Sequence, residues 1–349
     1  EIYKAWAWGN YNYQSKSKKN LLYVKEQKEL EFLTFYSDCI NLSRDLINSP
    51  ANKLNPSTYY SKIKNNNLFK SFNFIDYTEK EINSNFPLTC AVGKSSSSKP
   101  KVIEITNRKL SKKDKPLVII GKGVTFDTGG VNIKPGTSMR NMKKDMGGSA
   151  IAISLFLLAN YFLKKTKIVL IAPIAENAIS SKSMRPGDVY SSVSGKSVEI
   201  AHTDAEGRLL LADAIEKASS YNPCMIIDFA TLTGAARVAL GEDLPAYFCN
   251  NETFAKKIEN LNKEKLRCWR LPLYSPYLFK IKSQVADLSN ASLDGMAGSI
   301  TAALFLQEFL KSPNIPWFHF DTFAWSQDSK GAALQGLDIM SDFLRKNFN

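Results

Sequence analysis

The feature that most constrains this chain is a series of short, unbroken, β-branched apolar runs separated by helix-length stretches. Leu117-Val118-Ile119-Ile120, Ile168 to Ala172 and Met225-Ile226-Ile227-Asp228-Phe229 lack the polar alternation of a half-solvated strand. Runs of this kind suit strands covered on both faces, as in parallel sheets whose crossover helices lie over each side. Between and after them, Ala150 to Phe162, Leu209 to Ser219 and Gly298 to Leu310 have helical length and apolar content, and Trp317 to Phe320 reads as a last strand. The alternation predicts an α/β fold, a three-layer α/β/α domain with a central, mostly parallel (mixed) sheet. Upstream, Leu30 to Asn48 carries apolar residues at helical spacing and stops at Ser49-Pro50. Asn55 or Ser57 is available to cap a further helix through Lys64, and Phe72 to Ile75 and Val102 to Ile105 are short strand candidates. Residues 1–35 begin aromatic and basic without a clear period and are expected to be a connector, leaving 36–349 as one domain without internal repeats.

Composition narrows the chemistry. With 349 residues, 44% of them hydrophobic, the chain can bury a sizeable core. No apolar run is expected to be long enough to span a bilayer, and EIYKAWAWGNYNY lacks the order of a secretory signal, so no membrane role is expected. Five scattered cysteines without a CxxC pair suggest neither a disulfide framework nor a zinc knuckle and fit a reducing cytoplasm. Only His202 and His319 are present, which excludes HExxH and multi-imidazole sites. Any metal therefore has to sit among carboxylates. The net charge of +13, with basic clusters at Lys16 to Lys19, Arg108 to Lys115 and Lys164 to Lys167, keeps nucleic-acid binding as a second reading. No aromatic-interleaved arginine stripe accompanies it, and the shared Lys and Asn bias can reflect nucleotide composition.

One stretch reads as a site. In His202-Thr203-Asp204-Ala205-Glu206-Gly207-Arg208-Leu209, two carboxylates and a guanidinium stand at alternate positions, which extended backbone would project from one face. Two acids on one face repel unless a cation lies between them, and a metal ion is the natural candidate. The alternative is a solvated turn opening a helix, where Asp and Glu suit the helix dipole. A second polar segment, Gly121-Lys122-Gly123-Val124-Thr125-Phe126-Asp127-Thr128-Gly129-Gly130, follows a buried strand, where ligands bind in open α/β sheets. A phosphate loop fails on spacing, because Leu88 and Tyr190 stand where its first glycine is needed.

Taken in order, GKGVTFDTGG, IKPG, MKKDMGG, ENAISSKSMRPGDVYSSVSGKSVEI, HTDAEGRLLLADA and ATLTGA resemble the catalytic domain of the leucyl (cytosol) aminopeptidase family, from about Arg44 to the C-terminus. The resemblance implies a dinuclear metallopeptidase that removes the first residue from peptides with a free N-terminus. Lys122, Asp127, Asp145, Asp204 and Glu206 match the family's metal ligands, with Asp127 and Glu206 bridging. Lys134 and Arg208 match its non-ligand catalytic residues, and Met142, Thr231, Leu232 and Gly234 fall where it lines the pocket for the substrate's first residue. The implied cofactors are two divalent ions, Zn or Mn first and Mg or Co as alternatives, with bicarbonate at Arg208. The resemblance also implies a homo-oligomer, a hexamer, and makes residues 1–35 the tail of an N-terminal domain; some bacterial relatives bind DNA. Four carboxylates suit two divalent cations, and burial against a dication would depress the Lys122 amine toward the neutral form that a ligand needs. The sequence departs from the family at His202, where Asn is usual.

Overall fold

The computed structural model describes residues 2–14, 22–327 and 331–348; the basic cluster at Lys16 to Lys19 lies outside them. Twelve strands form two sheets among these residues. In chain order they are β1 (Asn73–Ile75), β2 (Lys101–Thr106), β3 (Leu117–Gly121), β4 (Gly123–Asp127), β5 (Ile168–Asn177) and β6 (Val189–Ser191). They continue with β7 (Ser197–Glu199), β8 (Met225–Ala230), β9 (Ala246–Cys249), β10 (Trp269–Arg270), β11 (Leu288–Ser289) and β12 (Trp317–Asp321). The main sheet runs β1-β2-β5-β3-β8-β12-β9-β10, with β4 paired to β5. Its middle, β5-β3-β8-β12, is parallel, whereas β1, β2 and β9 join antiparallel, so the sheet is mixed as expected.

Period-two alternation divides the core into the two outer interfaces of a three-layer fold. Leu117, Ile119, Leu170, Ile227 and Phe318 face one layer, which includes the helices Gln27–Asn48, Gly147–Phe162 and Leu337–Phe348. Val118, Ile120, Ile171, Ile226 and Trp317 face the other, built from Pro87–Gly93, Gly207–Ser220 and Gly298–Gln307. The helix at Pro56–Lys64 takes Asn55 rather than Ser57 as its cap: Asn55 Oδ1 accepts from Thr58 N at 2.9 Å, and Thr58 Oγ1 accepts from Asn55 N at 2.9 Å.

Two observations bear on the N-terminal stretch, and one expectation changes. Part of the expected connector is a helix, Ile2–Gly9, with Ala7 buried; Trp8 Nε1 donates to Tyr36 Oη at 2.9 Å, and Arg44 Nη1 donates to Trp8 O at 3.0 Å. Eight residues are too few to display a helical period, so the sequence hid it. The helix Gln27–Asn48 passes through residue 35, and no backbone break marks a boundary there. Contrary to the reading of the apolar runs, Met142–Phe162 is long and apolar enough to cross a membrane; 83% of its most apolar window is buried within the protein, so it serves as the core helix. Its glycine-rich start lets it press on the sheet, since a Cβ on Gly148 would lie 2.2 Å from Phe229 O.

Candidate active site and metal centre

The parallel strands deliver their C-terminal ends to one cleft of ≈ 830 Å³ lined by all eleven residues singled out from the sequence: Lys122, Asp127, Lys134, Met142, Asp145, Asp204, Glu206, Arg208, Thr231, Leu232 and Gly234. Lys122 sits between β3 and β4, where the chain leaves β8 and turns to pair with the far half of β5. Its backbone is fixed by Lys122 N donating to Phe229 O at 3.0 Å and Ser149 N donating to Lys122 O at 2.8 Å. Asp127 ends β4, and Asp145 lies in the 3-10 turn, Met142–Met146, that opens the core helix. Asp204 and Glu206 come from the loop entering Gly207–Ser220. The extended geometry expected there is absent: Glu206 is already helical at φ −75°, ψ −34°, and Arg208 lies inside the helix. A turn converges the two acids instead. Gly207 is needed for contact as well as bending, because a Cβ there would lie 2.3 Å from Lys122 Cε.

One oxygen from each of Asp127, Asp204 and Glu206 lies within 4.8 Å of the others. Two lysines thread this cluster. Lys122 Nζ stands 2.8 Å from Asp145 Oδ2 and 3.1 Å from Glu206 Oε1, and donates to Thr231 O at 2.9 Å. Lys134 Nζ stands 2.9 Å from Asp127 Oδ2 and 2.5 Å from Asp204 Oδ1. Burial pulls both amines down, but the carboxylates around them prevail and hold them above the ordinary lysine range. Two lysines against four acids leave the cluster short of cation. Burial, then the Asp127 charge, pushes Asp204 up to about 6 and Glu206 well above its usual range. Among the described residues Asp145 Oδ2, Asp204 Oδ1 and Glu206 Oε2 are buried without a well-aligned hydrogen bond, and their carboxylates keep only the lysine contacts. A buried carboxylate oxygen with no donor, amid carboxylates and an amine, fits divalent cations.

Arg208 is buried, its Nε and Nη1 have no hydrogen-bond partner, and its guanidinium carbon is 5.9 Å from the Phe305 ring; burial lowers its pKa to about 10. It remains a cation with a free fork, suited to a planar anion. Met142, Thr231, Leu232 and Gly234 share the cleft wall, and Thr231 Oγ1 donates to Asp145 Oδ1 at 2.7 Å.

Several supporting residues were not singled out from the sequence. Asn177, at the end of a strand longer than expected, donates to Asp127 Oδ1 at 2.8 Å and Thr203 O at 3.1 Å, tying the two acidic loops together. Asn290 accepts from the amides of Ala201 and His202 and donates to the carbonyls of His202 and Ala205. Asp321 anchors the Thr231–Gly234 turn through Leu232 N, Thr233 N and Thr233 Oγ1. Nothing local marks an Asn or Asp for such work; the partners are 26 to 89 residues away. His202 is exposed, and its Nδ1 accepts from Asp204 N at 3.2 Å, the i to i+2 contact that an Asn side chain makes in an Asx-turn.

The match to known proteins agrees with this geometry. Residues 41–340 match the cytosol aminopeptidase family, catalytic domain. The probable cytosol aminopeptidase of Syntrophotalea carbinolica is 38% identical over 298 residues, covering 84% of this chain and 59% of that protein. That of Chlamydia caviae is 41% identical over 288 residues, covering 81% and 57%. The chain thus spans less than two thirds of the length of these relatives. Among solved structures, the cytosol aminopeptidase from Coxiella burnetii superposes with a TM-score of 0.89 at 38% identity, covering all of this chain and 78% of the other. The bottromycin maturation enzyme BotP, in complex with Mn, superposes at 0.88 with 29% identity, covering all of this chain and 79% of the other. With the family's domain matched over most of its length and its fold reproduced throughout, the chain belongs to the cytosol aminopeptidase family.

Proposed function

We propose that this chain is a metal-dependent aminopeptidase that hydrolyses the first peptide bond of substrates with a free N-terminus. The observation that carries the reading is Glu206 Oε2, buried without a hydrogen bond among the described residues, beside Asp127 and Asp204 at the open end of a parallel sheet. In this reading Lys122, Asp127, Asp145, Asp204 and Glu206 would hold two divalent ions, with Zn or Mn the favoured metals. Bound cations supply Lewis acidity and a water-derived nucleophile at neutral pH. The carboxylates alone keep Lys122 protonated, and bound dications in its place as their counterions would favour the neutral amine that a ligand needs. Lys134 stays an ammonium and donates to the oxyanion that forms when the carbonyl is attacked. Arg208 cannot take a proton from water; its Nε and Nη1 would hold a bicarbonate, which would supply a proton relay toward the leaving amine. Met142, Thr231, Leu232 and Gly234 surround the substrate's first residue. The reading includes a cytoplasmic homo-oligomer, a hexamer. Metal analysis combined with hydrolysis of free and N-acetylated aminoacyl-anilides tests it: free amines should be cleaved in proportion to bound metal, and equal cleavage of the acetylated forms would overturn it.

A further inference from the structure

The same cleft has a wall that this chemistry does not use. Lys144, only 5% exposed, Arg237 and Phe323 line it beside Met142, Thr231 and Gly234. Lys144 Nζ lies 4.3 Å from the Phe323 ring centroid, and the Arg237 guanidinium carbon lies 4.9 Å from the same centroid. Neither side chain has a hydrogen bond or ion pair with a described residue. Of the acids along this cleft, Asp145 holds Lys122 and Thr231 Oγ1, and Glu242, which accepts from Gln327 Nε2 at 3.2 Å, forms no ion pair with Lys144 or Arg237. A ring face compensates a cation only in part, so two cations held over one ring in a substrate cleft lack an anion.

We infer that Lys144 and Arg237 bind a carboxylate on the side chain of the substrate's first residue, making the enzyme selective for peptides that begin with Glu or Asp. The inference rests on the aminopeptidase reading, which puts the first residue against Met142, Thr231 and Gly234. Lys144 supplies a point charge from the buried end, Arg237 a forked donor from the exposed end, and Phe323 an apolar face for the side-chain methylenes. A leucine in the same place would desolvate both cations without pairing them. A site built around charge-assisted hydrogen bonds rejects the isostere that lacks the charge, here by roughly 10- to 100-fold.

The test compares kcat/KM of the metal-loaded chain on three dipeptides with the same second residue, beginning with Glu, Gln or Leu. Glu should exceed Gln and Leu by at least about tenfold. Arg237→Met and Lys144→Met should each bring the Glu/Gln ratio toward one; Arg237 is exposed, so its variant carries the test if Lys144→Met fails to fold. Cleavage of Gln and Leu peptides as fast as Glu peptides, or a Glu/Gln ratio unmoved in the folded variants, overturns the inference and leaves the aminopeptidase reading standing. Failure to cleave any of the three overturns the aminopeptidase reading and the inference with it.

Discussion

Asp321 and Glu206 are both buried carboxylates at the open edge of the same sheet, yet they are completed in opposite ways. Asp321, at the end of β12, accepts from Leu232 N at 3.1 Å, Thr233 N at 3.1 Å, Thr233 Oγ1 at 2.6 Å and Ser299 Oγ at 3.1 Å. Four neutral donors disperse its charge, and it holds a turn in place. Glu206 has one oxygen against Lys122 and the other without a hydrogen bond among the described residues, in a cluster where acids outnumber lysines. The contrast shows that burial alone does not mark a functional acid: neutral dipoles make it a strut, and a deficit of positive charge makes it a ligand.

Lys122→Arg strikes the charge-deficient region hardest. Lys122 Cε already fills the space a Cβ on Gly207 would need, and a guanidinium does not shed its proton to become a ligand. Activity should fall to background, with one fewer metal ion per chain. Lys134→Arg should keep both ions and lose turnover by on the order of 10² to 10³, as for a lost oxyanion donor. Metal content of the two purified variants decides between them: equal stoichiometry would mean that Lys122 is not a ligand.

On the strut side, Asp321→Ala leaves buried donors without an acceptor and should cost on the order of 3 kcal/mol in urea unfolding. Metal content should stay unchanged. Loss of metal in this variant would show that the two carboxylates are not separable in role.

Chelation and pH sharpen the comparison at a smaller scale. In the metal-free protein Asp204 titrates near 6 rather than near its ordinary 3.8, so between those values the folded state holds a proton that the unfolded chain releases. Stability of the chelated protein should therefore fall as pH rises from about 4 to 6, by on the order of 2 kcal/mol for this group, with Glu206 extending the fall to higher pH. Metal should suppress this slope. Melting temperatures of chelated and metal-loaded protein at pH 4.5 and 6.5 measure it, and parallel profiles would refute the charge deficit.

The smallest expected effect is at His202. Since its Nδ1 makes the contact an Asn Oδ1 would make to Asp204 N, His202→Asn should change stability and metal affinity by less than about 0.5 kcal/mol. His202→Ala loses the contact and should cost about 1 kcal/mol. A large loss in His202→Asn would show that the imidazole does more than hold the turn.

Much of this was legible in the chain. Unbroken apolar runs marked β3, β5, β8 and β12 because a strand covered on both faces needs no polar side. The acids and lysines of the centre stood in glycine-flanked segments after those strands, and all of them reach one cleft. Less legible were features settled by partners far along the chain. The strand expected over Ile168 to Ala172 runs on to Asn177 because β4 pairs with that end of β5, which brings Asn177 to Asp127. The helix Ile2–Gly9 is held by Tyr36 and Arg44, not by a period of its own.

By itself the sequence determined which residues are apolar on two faces, where helices are capped and stopped, and which acids and cations are available for chemistry; these follow from local sterics and periodicity. Only the tertiary structure decided that Asp204 and Glu206 converge through a turn and not an extended strand, that Lys122 rather than solvent meets Gly207, and that Lys144 and Arg237 share one ring without a carboxylate. Charge compensation is a sum over groups brought together by the sheet, and a one-dimensional pattern gives the members of that sum but not the distances that weight them.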